Sequence, residues 1–195
     1  MVRKMPFVHM IRHGKPASTW GDAAADPDPG LDAEGRAQAE AAAAALLALP
    51  PSERPVRVLS SPLRRCRETA QPLADALGVP VEIEPAVAEI PTPKVLANAE
   101  RGDWLRKSFQ GRWDEIIGDL DYAEWARGVA RAVVTTPGAA VFSHFVAINA
   151  AVSVARGDPR VRQFEPAHTA ISKFEIKGEA LTLVVTGRSS ETQVL

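Results

Sequence analysis

Phe7-Val8-His9-Met10-Ile11-Arg12-His13-Gly14 is the stretch that decides the fold of this chain. Phe7 to Ile11 is apolar, too short for a helix, and closes on Arg-His-Gly; it predicts a buried strand followed by a tight turn. His9 lies mid-strand and reads as a satisfied structural residue, whereas Arg12 and His13 stand where the strand ends.

Outward from it the pattern repeats. Residues 14–30, rich in Gly, Pro, Asp and Ala, make a loop long enough to suspect function. Asp32 caps an Ala-rich helix running to about Leu49 and stopped by Pro50-Pro51. Arg57 to Ser60 is a second strand. Ser61 and Pro62 then open a helix as cap and first residue, Gly78 closes it, and Pro72 bends or splits it. Val79 to Ile83 is a third strand. Trp104, Arg106, Phe109 and Trp113 fall in short helical stretches, with the tryptophans, Trp125 included, as core. Tyr122, Trp125, Val129 and Val133 recur at helical spacing. Ala139 to Phe142 is a fourth strand, ending in Ser143-His144, and Phe145 to Ala155 is a buried helix. Ile171 to Ile176 and Leu181 to Val185 are strands joined at Lys177-Gly178.

Alternating strands and helices predict a single α/β domain over residues 1–195, with a mostly parallel sheet and an antiparallel edge from the last strand pair. Ligands of such sheets bind outside the carboxyl ends of the strands. Three polar groups fall at those ends: Arg12 and His13, then Arg64, Arg65 and Arg67, then His144. Guanidinium forks grip phosphate oxygens at any working pH. A neutral imidazole can attack phosphorus while another stabilises the transferring group. Phosphoryl transfer is the chemistry this set suits.

Composition narrows the rest. A net charge of −1 argues against a general affinity for nucleic acid, so any anion site must be a local basic cluster. The single cysteine, Cys66, excludes an internal disulfide framework and reads as a packing residue. The start at Met1 has too short an apolar region for a signal peptide, and no run approaches a membrane span; a cytoplasmic protein without membrane partners is expected. No Asp, Glu and His grouping has ligand spacing, and arginines can supply the charge a metal supplies elsewhere, so neither metal nor cofactor is expected.

Four ordered blocks resemble the histidine phosphatase superfamily, the phosphoglycerate mutase-like proteins. They are Arg12-His13-Gly14, Leu31 to Ala39 (like L-T-x-x-G-x-x-Q-A), Ser60 to Ala70 (like S-S-P-L-x-R-A-x-Q-T-A) and Val141 to His144. The resemblance implies a three-layer sandwich with the sheet between helices. It implies that His13 accepts the phosphoryl group, that Arg12 and Arg65 grip it, and that His144 completes the pocket. Glu89 matches the acid that protonates the leaving oxygen and then activates water, ahead of Glu82 and Glu84.

This chain departs from the pattern in its substrate-facing parts. Ile90 to Lys94 replaces a glycine- and tryptophan-rich stretch, Lys15 replaces the common Glu, and Phe145 replaces the usual glycine. His168 sits where relatives place a polar pair. Lys15, Lys94, Arg101 and His168 are therefore candidate substrate-binding residues, with residues 90–120 a helical insertion facing the substrate. The reading is a phosphatase for a small phosphorylated metabolite. The alternatives are a mutase-type phosphotransferase, a phosphohistidine protein phosphatase and, last, a phosphate-binding relative without turnover; a homodimer stays open.

Overall fold

The computed structural model describes residues 6–18 and 26–190; the basic first residues and part of the 14–30 loop lie outside them. Strands are β1 (Phe7–Arg12), β2 (Arg57–Ser60), β3 (Val81–Ile83), β4 (Ala139–Ser143), β5 (Ile171–Lys177) and β6 (Ala180–Val185). Helices are α1 (Ala33–Leu47), α2 (Arg64–Leu77), α3 (Asn98–Ser108), α4 (Tyr122–Val134) and α5 (Phe145–Arg156). The strands form one sheet in the order β3-β2-β4-β1-β5-β6. The first four run parallel, and β5 and β6 supply the antiparallel side.

The largely apolar runs of β1, broken by His9, and of β4 follow from their central place, because a strand covered by helices on both faces has no polar side. Val8, Met10, Leu59 and Val141 face α4 and α5, packing with Val129, Val133, Ile148 and Val152. Ile11, Val58, Ala140 and Phe142, alternating with them along the strands, face α1 and α2 and meet Leu46, Cys66, Ala70 and Leu73. The result is the three-layer sandwich. Trp113 is buried within the α4–α5 layer, and Trp104 and Trp125 pack against it partly buried.

Three local readings need correction. Helix α2 starts at Arg64, not Pro62, and Ser61 does not cap it. The Asp28 carboxylate takes the Arg64 N–H at 2.9 and 3.0 Å, so the cap arrives from a loop far away in sequence. Pro72 does not split the helix, which is continuous to Leu77 with Gly78 left-handed behind it. Strand β3 begins two residues late, at Val81, since Pro80 has no N–H for the ladder. His9 is buried as expected but not satisfied: neither ring nitrogen has a partner among the described residues.

Candidate active site

Sheet register brings the site together. Arg12 pairs with Ser143 across β1 and β4, so the next residues, His13 and His144, leave the sheet side by side. The His13 N–H donates to the Ser143 carbonyl at 3.0 Å, and the two imidazole centroids lie 5.3 Å apart. Gly14 is glycine for a reason of space: a Cβ there would sit 2.6 Å from the Gly35 carbonyl oxygen. On Gly35 it would sit 2.1 Å from the Lys15 oxygen. Backbone against backbone, the turn after β1 locks onto the first turn of α1. Thr69 adds a clasp, its hydroxyl accepting the Gly14 N–H at 2.9 Å.

Hydrogen bonding sets both imidazole tautomers. His13 Nδ1 lies 2.8 Å from the Gly14 carbonyl, which can only accept, so Nδ1 carries the proton and Nε2 presents a bare lone pair. Arg65 can only donate, so its Nη2, 3.2 Å from His144 Nδ1, makes that nitrogen the acceptor. His144 Nε2–H then donates to the Ser61 hydroxyl at 2.8 Å. Cys66 Sγ stands 3.3 Å from the same Nε2, and burial pushes its thiol up, so it stays protonated. Burial also holds both imidazoles well below the usual histidine range. For His13 the neighbouring His144, Arg65 and Arg12 push further the same way; for His144 the two arginines do.

Arg12 is braced on several sides by the loop before β5. Its Nη1 donates to the Pro166 carbonyl at 2.8 Å, its backbone N–H to Ala170, and its backbone oxygen accepts from Thr169. Thr169 holds a φ of 55°, a left-handed conformation that strains a β-branched residue. The buried Arg12 Nε has no partner among the described residues. Burial, then Arg65, bring the guanidinium down to about 10 against the pull of Glu89, leaving it charged. Glu89 stands in the segment after β3, a partly exposed side chain whose Oε1 accepts the Ile90 N–H at 3.0 Å. Burial raises its carboxyl although Ile90, Arg65, Arg12 and the Val146 N–H at the start of α5 favour the charged form.

The outer candidates separate. The His168 ring lies 5.9 Å from that of His13, and burial holds it to about 4, hence neutral. Lys15 is already paired, with Glu34 at 2.6 Å and Asp32 at 3.4 Å. Arg101 and Lys94 make no hydrogen bond or ion pair to the His13 cluster among the described residues; the Arg101 Nε is buried without a partner, and the Lys94 backbone N–H donates to Asp119. Arg64 points away to Glu68. No group of three or more His, Cys, Asp or Glu side chains among the described residues could hold a metal.

Three contributors escaped the sequence reading. Ser61 and Thr69 lie inside the Ser60–Ala70 block, and their polar side chains flanking Arg65 were the available signal. Phe145 stood out as a replaced glycine expected to narrow the pocket wall or move the helix, with no sign that its ring would meet Arg12.

The arrangement offers a bare imidazole nitrogen, a second imidazole, two guanidinium groups and a carboxyl of raised affinity for its proton. A model of the histidine phosphatase superfamily (branch 1) matches residues 8–188. No curated protein matches the chain significantly. Among solved structures, phosphoserine phosphatase from Entamoeba histolytica in complex with 3-phosphoglyceric acid is 20% identical, over 94% of this chain and 98% of that one, at a TM-score of 0.72. A mycobacterial glucosyl-3-phosphoglycerate phosphatase is 19% identical, over 94% and 99%, at 0.69. A protein described as mycobacterial hydrolase 1 is 18% identical, over 95% and 100%, at 0.68. At these identities the likeness to solved structures is one of fold.

Proposed function

This chain belongs to the histidine phosphatase superfamily (branch 1), and we propose that it is a metal-independent phosphatase of small phosphomonoesters working through a phosphohistidine on His13. The observation that carries the reading is the tautomer of His13: Nδ1–H is committed to the Gly14 carbonyl, so the bare Nε2 is the nucleophile, 5.3 Å ring to ring from His144. The low proton affinity of the buried ring keeps it neutral at working pH.

Arg12 and Arg65 grip the phosphoryl oxygens, the unpartnered Arg12 Nε gaining an acceptor it lacks at rest. Nε2 of His13 bonds to phosphorus as the bond to the leaving oxygen breaks, and Glu89 gives that oxygen its proton. Water then attacks the phosphohistidine, Glu89 takes the water's proton, and phosphate leaves. His144, held by Ser61, steadies the charge on the transferring group. His168, beside the nucleophile, meets the substrate. Lys94 and Arg101, in the 90–120 segment, would be drawn to a second anionic group on the substrate, while Lys15 is already paired with Glu34 and Asp32. No helix among the described residues is long and apolar enough to cross a membrane.

The test is hydrolysis of a nitrophenyl phosphate in EDTA. Turnover that survives the chelator, with an acid-labile and base-stable phosphoryl label on the protein, supports the reading. Activity lost in EDTA and restored by a divalent cation sinks it.

A further inference from the structure

Phe145 is the first residue of α5, directly after His144, and is almost fully buried. Its ring does not simply fill a wall. The Arg12 guanidinium carbon stands 5.3 Å from the ring centroid, within cation–π range. From another direction Phe109, the residue that ends α3, meets the same ring at 5.1 Å with the planes tilted 50°. The position of Phe145 along α5 is set in turn by the Asn149 side-chain amide, which donates to the Phe145 carbonyl at 2.9 Å.

Arg12 needs such a support. Its Nη1 is spent on the Pro166 carbonyl, and its Nε meets no acceptor among the described residues. A buried guanidinium with an unsatisfied donor has lost hydration and recovers it only when an anion arrives. Until then the group must be kept charged and aimed without a carboxylate bonded to it, since a bonded carboxylate would compete with phosphate. An aromatic face does this: it attracts the cation but offers no lone pair that a phosphate oxygen must displace.

We propose that Phe145 is a positioning residue of the phosphate site, whose ring face holds the Arg12 guanidinium in its phosphate-binding orientation while Phe109 fixes the ring from the 90–120 segment. The proposal rests on the reading of Arg12 as a phosphate clamp. It makes Phe145 a working part of the site in this chain, and it couples the substrate-facing segment to the clamp through two rings in tilted contact.

The experiment replaces Phe145 by phenylalanines carrying one, two and three ring fluorines, which keep the shape and progressively drain the negative ring face. Affinity for vanadate, and kcat/KM for nitrophenyl phosphate, should fall stepwise with fluorination, by about threefold to tenfold over the series. Thermal stability should hardly move. Phe145→Tyr should stay near wild type and Phe145→Leu should fall at least as far as the trifluoro protein. In an Arg12→Ala background the fluorine series should be flat. A flat series in the wild-type background overturns the proposal, as does a loss of equal size with and without Arg12. If Arg12→Ala itself leaves vanadate affinity unchanged, the clamp reading has failed and the proposal falls with it, a result distinct from a failure of Phe145 alone.

Discussion

Arg64 and Arg65 are neighbours in sequence, yet truncating them should have opposite consequences. Arg65 is buried with its Nη2 on His144 Nδ1 at 3.2 Å. Arg64 has about half of its side chain exposed and is held by Glu68 at 2.7 Å. On the proposed reading, Arg65→Ala removes a charge-assisted donor to the transferring phosphoryl group, which costs on the order of 3 kcal/mol in the transition state, or about a hundredfold in kcat/KM. Arg64→Ala removes solvent-screened ion pairs, to Glu68 and, at 3.8 Å, to Asp26, and should leave turnover within about twofold. The pH profile of kcat/KM supplies an independent check. Arg65 is among the charges that hold His13 and His144 low, so its removal raises both, and His13 must then be freed of its proton at higher pH. The acid limb moves to higher pH. Arg65 also lowers Glu89, so the limb on which Glu89 loses its proton moves up as well. Both limbs shift the same way. The assay is steady-state hydrolysis of nitrophenyl phosphate by wild type and both variants over roughly pH 3 to 9, which reaches below the ordinary histidine range out of which burial has moved His13. Equal losses at positions 64 and 65, or a hundredfold loss at 65 with an unmoved profile, would refute this account of the clamp.

The remaining predictions test other parts of the molecule. His13→Ala should abolish turnover and the phosphoryl label while melting close to wild type; substantial residual hydrolysis would remove His13 as nucleophile. Glu89→Gln should keep vanadate affinity and lose far more rate on alkyl phosphates than on nitrophenyl phosphate, whose leaving group hardly needs a proton; equal losses would move the acid to Glu84 or to the 94–120 segment. His9→Leu should stabilise the protein by about 1–2 kcal/mol at neutral pH, because both buried ring nitrogens lack partners. Burial, with Lys173 beside it, lowers the folded His9 ring to about 4. The unfolded chain therefore takes up a proton first as pH falls below about 6.5, and stability declines toward about pH 4. Denaturant melts at neutral and mildly acid pH should show the variant losing about one proton's share of that decline; an unchanged slope would exonerate His9.

How far the sequence carried is clearest at particular residues. The apolar runs of β1 and β4, each leading within two residues to a histidine, already announced buried strands and a rim, because a central parallel strand is apolar on both faces and its local pattern says so. It was the resemblance of the blocks around Gly14, Gly35 and Thr69 to the histidine phosphatase pattern that placed Arg65 ahead of Arg64 before any geometry was available. Where a partner lies far along the chain, local pattern is silent. The α2 cap comes from Asp28, 36 residues away. Ser61, which reads locally as a helix cap, spends its hydroxyl on His144, 83 residues on. Lys15 reads as a free cation until Asp32 and Glu34 are folded against it. His9 reads as an ordinary core histidine until its two bare nitrogens are seen. Composition and periodicity report what each segment prefers for itself, and these residues settled the architecture and the kind of chemistry. Hydrogen bonds, ion pairs and ring contacts depend on distances of a few ångströms between segments that only the packed sheet brings together, and so the tautomers of His13 and His144, the support of Arg12 by Phe145 and the neutralisation of Lys15 belong to the tertiary structure alone.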